Sequence, residues 1–117
     1  MTPPSCPHVV VAIDALKIHD WGSCHDALVA AFGFPDFCGH NKNAWIDCMT
    51  SLDDPTAGMS KVHAPPGGVV VLKLDHAHDL AARCPEIYAA LVECAAFVNW
   101  RRLDVGEGPV LVTAFYE

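Results

Sequence analysis

The sequence predicts an α/β protein built on a three-stranded parallel sheet with helices packed around it. Three observations lead there. Apolar runs at Val9–Ile13, Val69–Leu74 and Pro109–Tyr116 read as strands. Long stretches with helical periodicity separate them, which is what crossovers between parallel neighbours require. The first run, Val-Val-Val-Ala-Ile, is continuous rather than alternating, as expected of a strand covered on both faces.

The elements follow in order. Residues 8–16 read as the first strand. Asp20 is a natural N-cap, and Trp21, Cys24, Leu28, Ala31 and Phe32 recur at helical spacing until Gly33 stops the helix. Phe34 to His40 is a short linker. Asn41 caps a second helix, in which Trp45, Cys48, Met49 and Leu52 form one apolar stripe. Helix geometry then turns Asn43, Ile46, Asp47 and Thr50 to another face. Residues 53–68, with Asp-Pro, Pro-Pro and Gly-Gly, form a long loop. After the second strand, His76 to Ala82 reads as a short helical turn. Pro85 opens a longer helix carrying Ile87, Leu91, Cys94 and Val98 on one stripe, with Arg101 and Arg102 at its C-terminal end. Gly106 and Gly108 break the chain before the last strand. The expected organisation is a flexible N-terminus over 1–7 and a single domain over 8–117.

Composition narrows the function classes. The 117 residues are 52% hydrophobic and 18% charged, enough for one core. Seven Lys and Arg stand against fourteen Asp and Glu, a net charge of −7. That disfavours nucleic acid, whose phosphates need cations, and suits a basic partner. No apolar run approaches the roughly 20 residues of a membrane span. Met1 to Pro7 lacks the basic start and apolar stretch of a signal peptide, so the expected compartment is the cytoplasm. Around the second helix, Asp36, Asp47, Asp53 and Asp54 against Lys42 leave three net negative charges.

Catalytic and metal signals are weak. The six cysteines, Cys6, Cys24, Cys38, Cys48, Cys84 and Cys94, show no Cys-x-x-Cys spacing. His76-x-His78, or Cys38 with His40, falls short of a metal site's three or four ligands. His25 and Asp26 have no nucleophile to complete a triad. Gly67-Gly68 precedes a strand, the wrong order for a phosphate loop. No catalytic residue, metal or cofactor is expected.

Residues 11–49 resemble the barstar family. Val11-Ala12-Ile13-Asp14 is similar to its first strand and the polar residue closing it. Ile18, Leu28 and Phe34-Pro35-Asp36-Phe37 are similar to its first helix and the turn that follows. Gly39-x-Asn41, Ala44 and Asp47-Cys48-Met49 are similar to its second-helix signature. The remainder matches in pattern, with a longer segment after Cys48 and a longer last helix. The resemblance implies a barstar-like fold. It also implies an intracellular inhibitor or immunity protein that blocks the active site of a basic ribonuclease or related nuclease toxin. By position, the partner-binding residues it implies are Phe37, Gly39, Asn41, Asn43, Ile46 and Asp47. Asp47 falls on the family's most important aspartate, and Glu93 is one candidate for an acidic contact on the last helix. Asn43 is neutral where the family has a second aspartate. Ile46 stands where it has tryptophan. These departures, with the long 53–68 loop, leave open an interaction module whose partner is not a nuclease. A small metal- or thiol-dependent enzyme is a third, weaker reading.

With no secretion signal and several thiols on core stripes, all six cysteines should be free in the native protein. Denatured, unreduced protein should therefore titrate six thiols, and a count of two or fewer would contradict this.

Overall fold

The computed structural model describes residues 7–35 and 41–116. Strands β1 (His8–Asp14), β2 (Val69–Asp75) and β3 (Leu111–Phe115) form a parallel sheet in the order β1-β2-β3. Helices α1 (Trp21–Phe32) and α2 (Lys42–Met49) lie between β1 and β2. Helices α3 (Ala77–Arg83) and α4 (Pro85–Asp104) lie between β2 and β3. The α/β class and the three-stranded parallel sheet expected from the sequence are both present.

Register places Val11, Leu72 and Thr113 on one row, and Ile13, Leu74 and Phe115 on another. Val11, Ile13, Val70, Leu72, Leu74 and Leu111 are buried, so this face carries the core. The next row over, Val10–Val71–Val112, faces the other way, and Val10 is 51% and Val112 44% exposed. The continuous apolar run of β1 therefore does not mark a strand covered on both faces. The cause is topological. Both crossovers step in the same direction across the sheet, and right-handed crossovers that do so put their helices on the same face. β1 also ends earlier than expected, because the Asp14 side chain accepts a 3.0 Å hydrogen bond from Leu16 N and starts a 3-10 turn at Ala15–Lys17.

The helix ends follow their local chemistry. Asp20 caps α1 in a reciprocal box with Ser23. Gly33 ends that helix at φ 70°, where a side chain would be strained and would also run into Lys61. Asn41 caps α2 by accepting from Ala44 N at 2.9 Å. Pro85 occupies the first turn of α4. The long loop after α2 is strapped down. Lys61 N and Ser60 Oγ both donate to the carbonyl of Phe32, at 2.8 and 2.9 Å, and Ala64 N donates to Leu52 at 2.8 Å.

Arg102 ties this loop to α4 and to the approach to β3. Its guanidinium, 6% exposed, donates to both carboxylate oxygens of Asp53 at 2.8 and 2.9 Å. It also donates to the carbonyls of Thr50 at 3.0 Å and Gly108 at 2.7 Å. A buried cation is tolerable only when its donors are met in this way. Because Thr50 is the C-cap of α2, the same cluster fixes the end of that helix against α4. Asn99 does similar work for β3, donating to the Leu111 carbonyl and accepting from Val110 N and Leu111 N.

The hydrogen bonds from Arg102 hold the Asp53 carboxyl below its ordinary value near 3.8. A carboxyl whose pKa is lowered by folding stabilises the native state above its unfolded value. That contribution is lost as pH falls through the lowered one. Urea melts of Asp53→Asn should show lower stability near neutrality and a shallower loss below about pH 4 than the unaltered protein. Parallel acid limbs for the two proteins would contradict the assignment.

Candidate functional site on helix α2

Helix α2 is only eight residues long, and its orientation is set by what it packs against. Trp45 is 1% exposed. Its ring lies 6.3 Å from that of Trp21 and 6.5 Å from that of His25, both on α1. Its indole Nε1 donates to His25 Nδ1 at 3.1 Å in the buried interior. Since an indole N–H only donates, His25 Nδ1 must accept and stay unprotonated. On the other side of α2, Met49 Sδ meets Cys94 Sγ of α4 at 3.7 Å.

This packing confirms the stripe of Trp45, Cys48, Met49 and Leu52, all buried. It overturns the exposure expected for Ile46, which is 4% exposed and part of the same core. The helix is held between α1 and α4, so the buried arc spans about 160° rather than a single narrow stripe. Ile46 falls at the edge of that arc. Asn43 and Asp47, one turn apart, remain on the outward face and are exposed.

The remaining expected site residues divide as follows. Phe37 and Gly39 lie outside the described residues. Asn41 is exposed, but its side chain is engaged as the α2 cap. Asp47, with its side chain 59% exposed, is in contact with the guanidinium of Arg101 on α4. Lys42 pairs with Glu93 of α4 at 2.8 Å and lies 5.6 Å above the Phe97 ring. The lysine set against the acids of this region is itself taken up by Glu93, so the negative surplus is redistributed by pairing with α4 rather than removed. Asp47 and Asp53 are each matched by an arginine of α4, and the Asp54 carboxylate caps the next 3-10 turn by accepting from Thr56.

Phe97 and Trp100 were not singled out by the sequence reading, which noted Lys42 only for its charge and Arg101 only for its place at the end of the last helix. The signal that finds these two aromatics is the α4 helical wheel, where positions 97 and 100 lie off the core stripe of Ile87, Leu91, Cys94 and Val98; Arg101, seven residues after Cys94, sits at the edge of that stripe, and its pairing with Asp47 is set by the fold. Phe97 is 46% and Trp100 61% exposed, unusual for aromatics on the outside of a helix.

The Cys24 and Cys94 thiols are both pushed up to about 12 by burial, so neither is a thiolate nucleophile near neutrality. His76 Nδ1 sits 3.1 Å from Asp14. Among the described residues no group of three or more His, Cys, Asp or Glu is arranged to hold a metal ion. Nor, among them, is any helix long and apolar enough to cross a membrane. What α2 offers is a carboxylate and an amide on an outward surface, on a helix fixed at both ends.

The family described as Barstar (barnase inhibitor) matches residues 8–111. No curated protein matches the chain.

If Trp45 sets the orientation of α2, truncating it should be costly. Trp45→Ala should lower stability by roughly 3–5 kcal/mol in urea melts. A loss below about 1 kcal/mol would mean that the indole is not a core element and that the outward face is misassigned.

Proposed function

The chain belongs to the barstar family, and from that premise we propose that it is a cytoplasmic inhibitor or immunity protein that binds a basic ribonuclease or related nuclease toxin and blocks its active site. The observation that carries this reading is the position of Asp47. Its carboxylate is exposed on α2 and already in contact with a guanidinium. Ribonuclease sites bind phosphate through Arg, Lys and His. A presented carboxylate can take the place of phosphate there and accept charge-assisted hydrogen bonds. Water exclusion on docking strengthens those bonds, and a net charge of −7 favours encounter with a cationic partner.

Arg101 has to yield for this to happen. An exposed ion pair contributes at most about 1 kcal/mol. A desolvated central acid contributes several kcal/mol, a scale set by the barnase–barstar interface itself. The partner's cations therefore outcompete Arg101. Asn43, one turn earlier on the same face, adds a neutral contact where the family has an acid. Phe37, Gly39 and Asn41 belong to the proposed surface through the family resemblance. Ile46 does not, because it is buried.

A second reading is an interaction module of the same fold whose partner is not a nuclease. It is favoured by the neutral Asn43 and by the internal pairing of both Lys42 and Asp47.

Titration against barnase separates the two. Binding by the unaltered chain, weakened by at least ~2 kcal/mol in Asp47→Ala with stability nearly unchanged, is the expected result. Asn43→Asp should tighten binding. Equal affinity of Asp47→Ala and the unaltered chain would remove α2 as the binding face. Failure of the chain to inhibit barnase or other basic ribonucleases would favour the non-nuclease partner.

A further inference from the structure

The contact between Arg101 and Asp47 joins two exposed side chains from different helices. The arginine is 44% exposed and the aspartate 59%. An exposed pair of this kind shifts an equilibrium by at most about fivefold, so it opens readily. Its role depends on where the guanidinium goes when it opens.

The surrounding acids leave one destination. Glu93 is held by Lys42 at 2.8 Å. Asp53 and Glu107 lie against Arg102, Asp53 through both carboxylate oxygens and Glu107 at 3.5 Å. Asp104 is exposed, and among the described residues no ion pair engages it. It is the last residue of α4. Its charge therefore sits at the negative end of the helix dipole, an unfavourable place for an acid. Arg101 comes three residues earlier, in the last turn of the same helix. Residues at that spacing are neighbours on a helix surface. A guanidinium released from Asp47 reaches Asp104 by turning about its own side-chain bonds, with α2 and α4 unmoved.

Asp47 itself lies in the last turn of α2. Two carboxylates, each near the C-terminal end of a helix, thus compete for one cation. The adjacent Arg102 cannot serve either, because its guanidinium is buried on Asp53 and on the carbonyls of Thr50 and Gly108.

We propose that Arg101 is a gate on Asp47: it closes on Asp47 in the free chain and passes to Asp104 when a cationic partner takes Asp47. That Asp47 anchors the partner rests on the function proposed above; the exchange of Arg101 between the two acids does not. A gate has a use in a chain of net charge −7, which attracts any basic protein at a distance. A surface cation that swaps one exposed pair for another gains nothing by displacing Arg101. A site that takes Asp47 out of water and surrounds it with several cations gains far more. Arg101 thereby sets the threshold a partner must pass, and Asp104 lowers it by receiving the displaced guanidinium.

The exchange is read on the chain alone from the Arg101 Nε–H signal in nuclear magnetic resonance spectra. Asp47→Asn removes the carboxylate that holds Arg101, as an occupied site would. Asp104→Asn should leave the Arg101 signal in place when Asp47 is present and shift it in the Asp47→Asn background. Titration against barnase at physiological ionic strength, where distant charges are screened, reads the threshold. Arg101→Gln should bind about two- to fivefold tighter than the unaltered chain, and that gain should vanish in the Asp47→Ala background. An Arg101 signal that ignores Asp104→Asn in both backgrounds, or follows it equally in both, would overturn the inference. Arg101→Gln binding no tighter, while Asp47→Ala binds more weakly, would also overturn it and leave the α2 reading standing. No binding of barnase by any variant, with the Arg101 signal behaving as expected, would support the exchange and overturn the nuclease reading alone.

Discussion

An indole nitrogen can only donate, so a buried tryptophan needs an acceptor within reach. In this protein His25 supplies it, at 3.1 Å from Trp45 across the α1–α2 contact. The bond fixes more than one side chain. It rules out rotation of α2 about its own axis, because any turn that moved Trp45 away from α1 would strand a buried N–H, at a cost of about 1–3 kcal/mol, and uncover the largest side chain in the core. Met49 against Cys94 and the carbonyl of Thr50 on Arg102 hold the same helix from the α4 side. Everything proposed for α2 depends on this double anchorage. An eight-residue helix has little stability of its own, and Asp47 is presented outward because the residues around it are held inward.

Much of this was legible in the sequence because its causes are local. Asp20, Asn41, Gly33 and Pro85 mark helix ends through interactions within a few residues, and the Trp45–Cys48–Met49–Leu52 stripe needs only the helical repeat. The misreadings share a different cause. Whether Ile46 is inside depends on how many neighbours α2 has, and periodicity does not count neighbours. Whether the sheet is covered on both faces depends on strand order, and the same apolar β1 run fits either case. The pairs Lys42–Glu93 and Asp47–Arg101 join residues 51 and 54 positions apart. No spacing rule reaches that far, so only the fold shows that Lys42 and Asp47 each have a counter-charge on α4.

That pairing bears on how the protein meets its partners. The net charge of −7 acts at a distance and assists the approach of a cationic protein. At contact the balance differs, because each charge displayed by α2 already has a counter-charge on α4. A strongly cationic site can displace Arg101 from Asp47, since an exposed pair is weak, whereas a neutral surface meets mostly Phe97, Trp100 and the alanines of α4. One helix pair thus offers a charged face and an apolar one side by side, joined at Lys42 and Arg101.

The orientation of α2 can be measured directly by native-state thiol labelling of two single variants, Ile46→Cys and Asp47→Cys, each scored as the added equivalent over the unaltered chain. Cys24 and Cys94 are buried and should stay silent under native conditions. A cysteine at position 47 should react as fast as an exposed thiol, and one at position 46 only when the protein unfolds. Equal native reactivity at the two positions, or faster reaction at 46, would contradict the account.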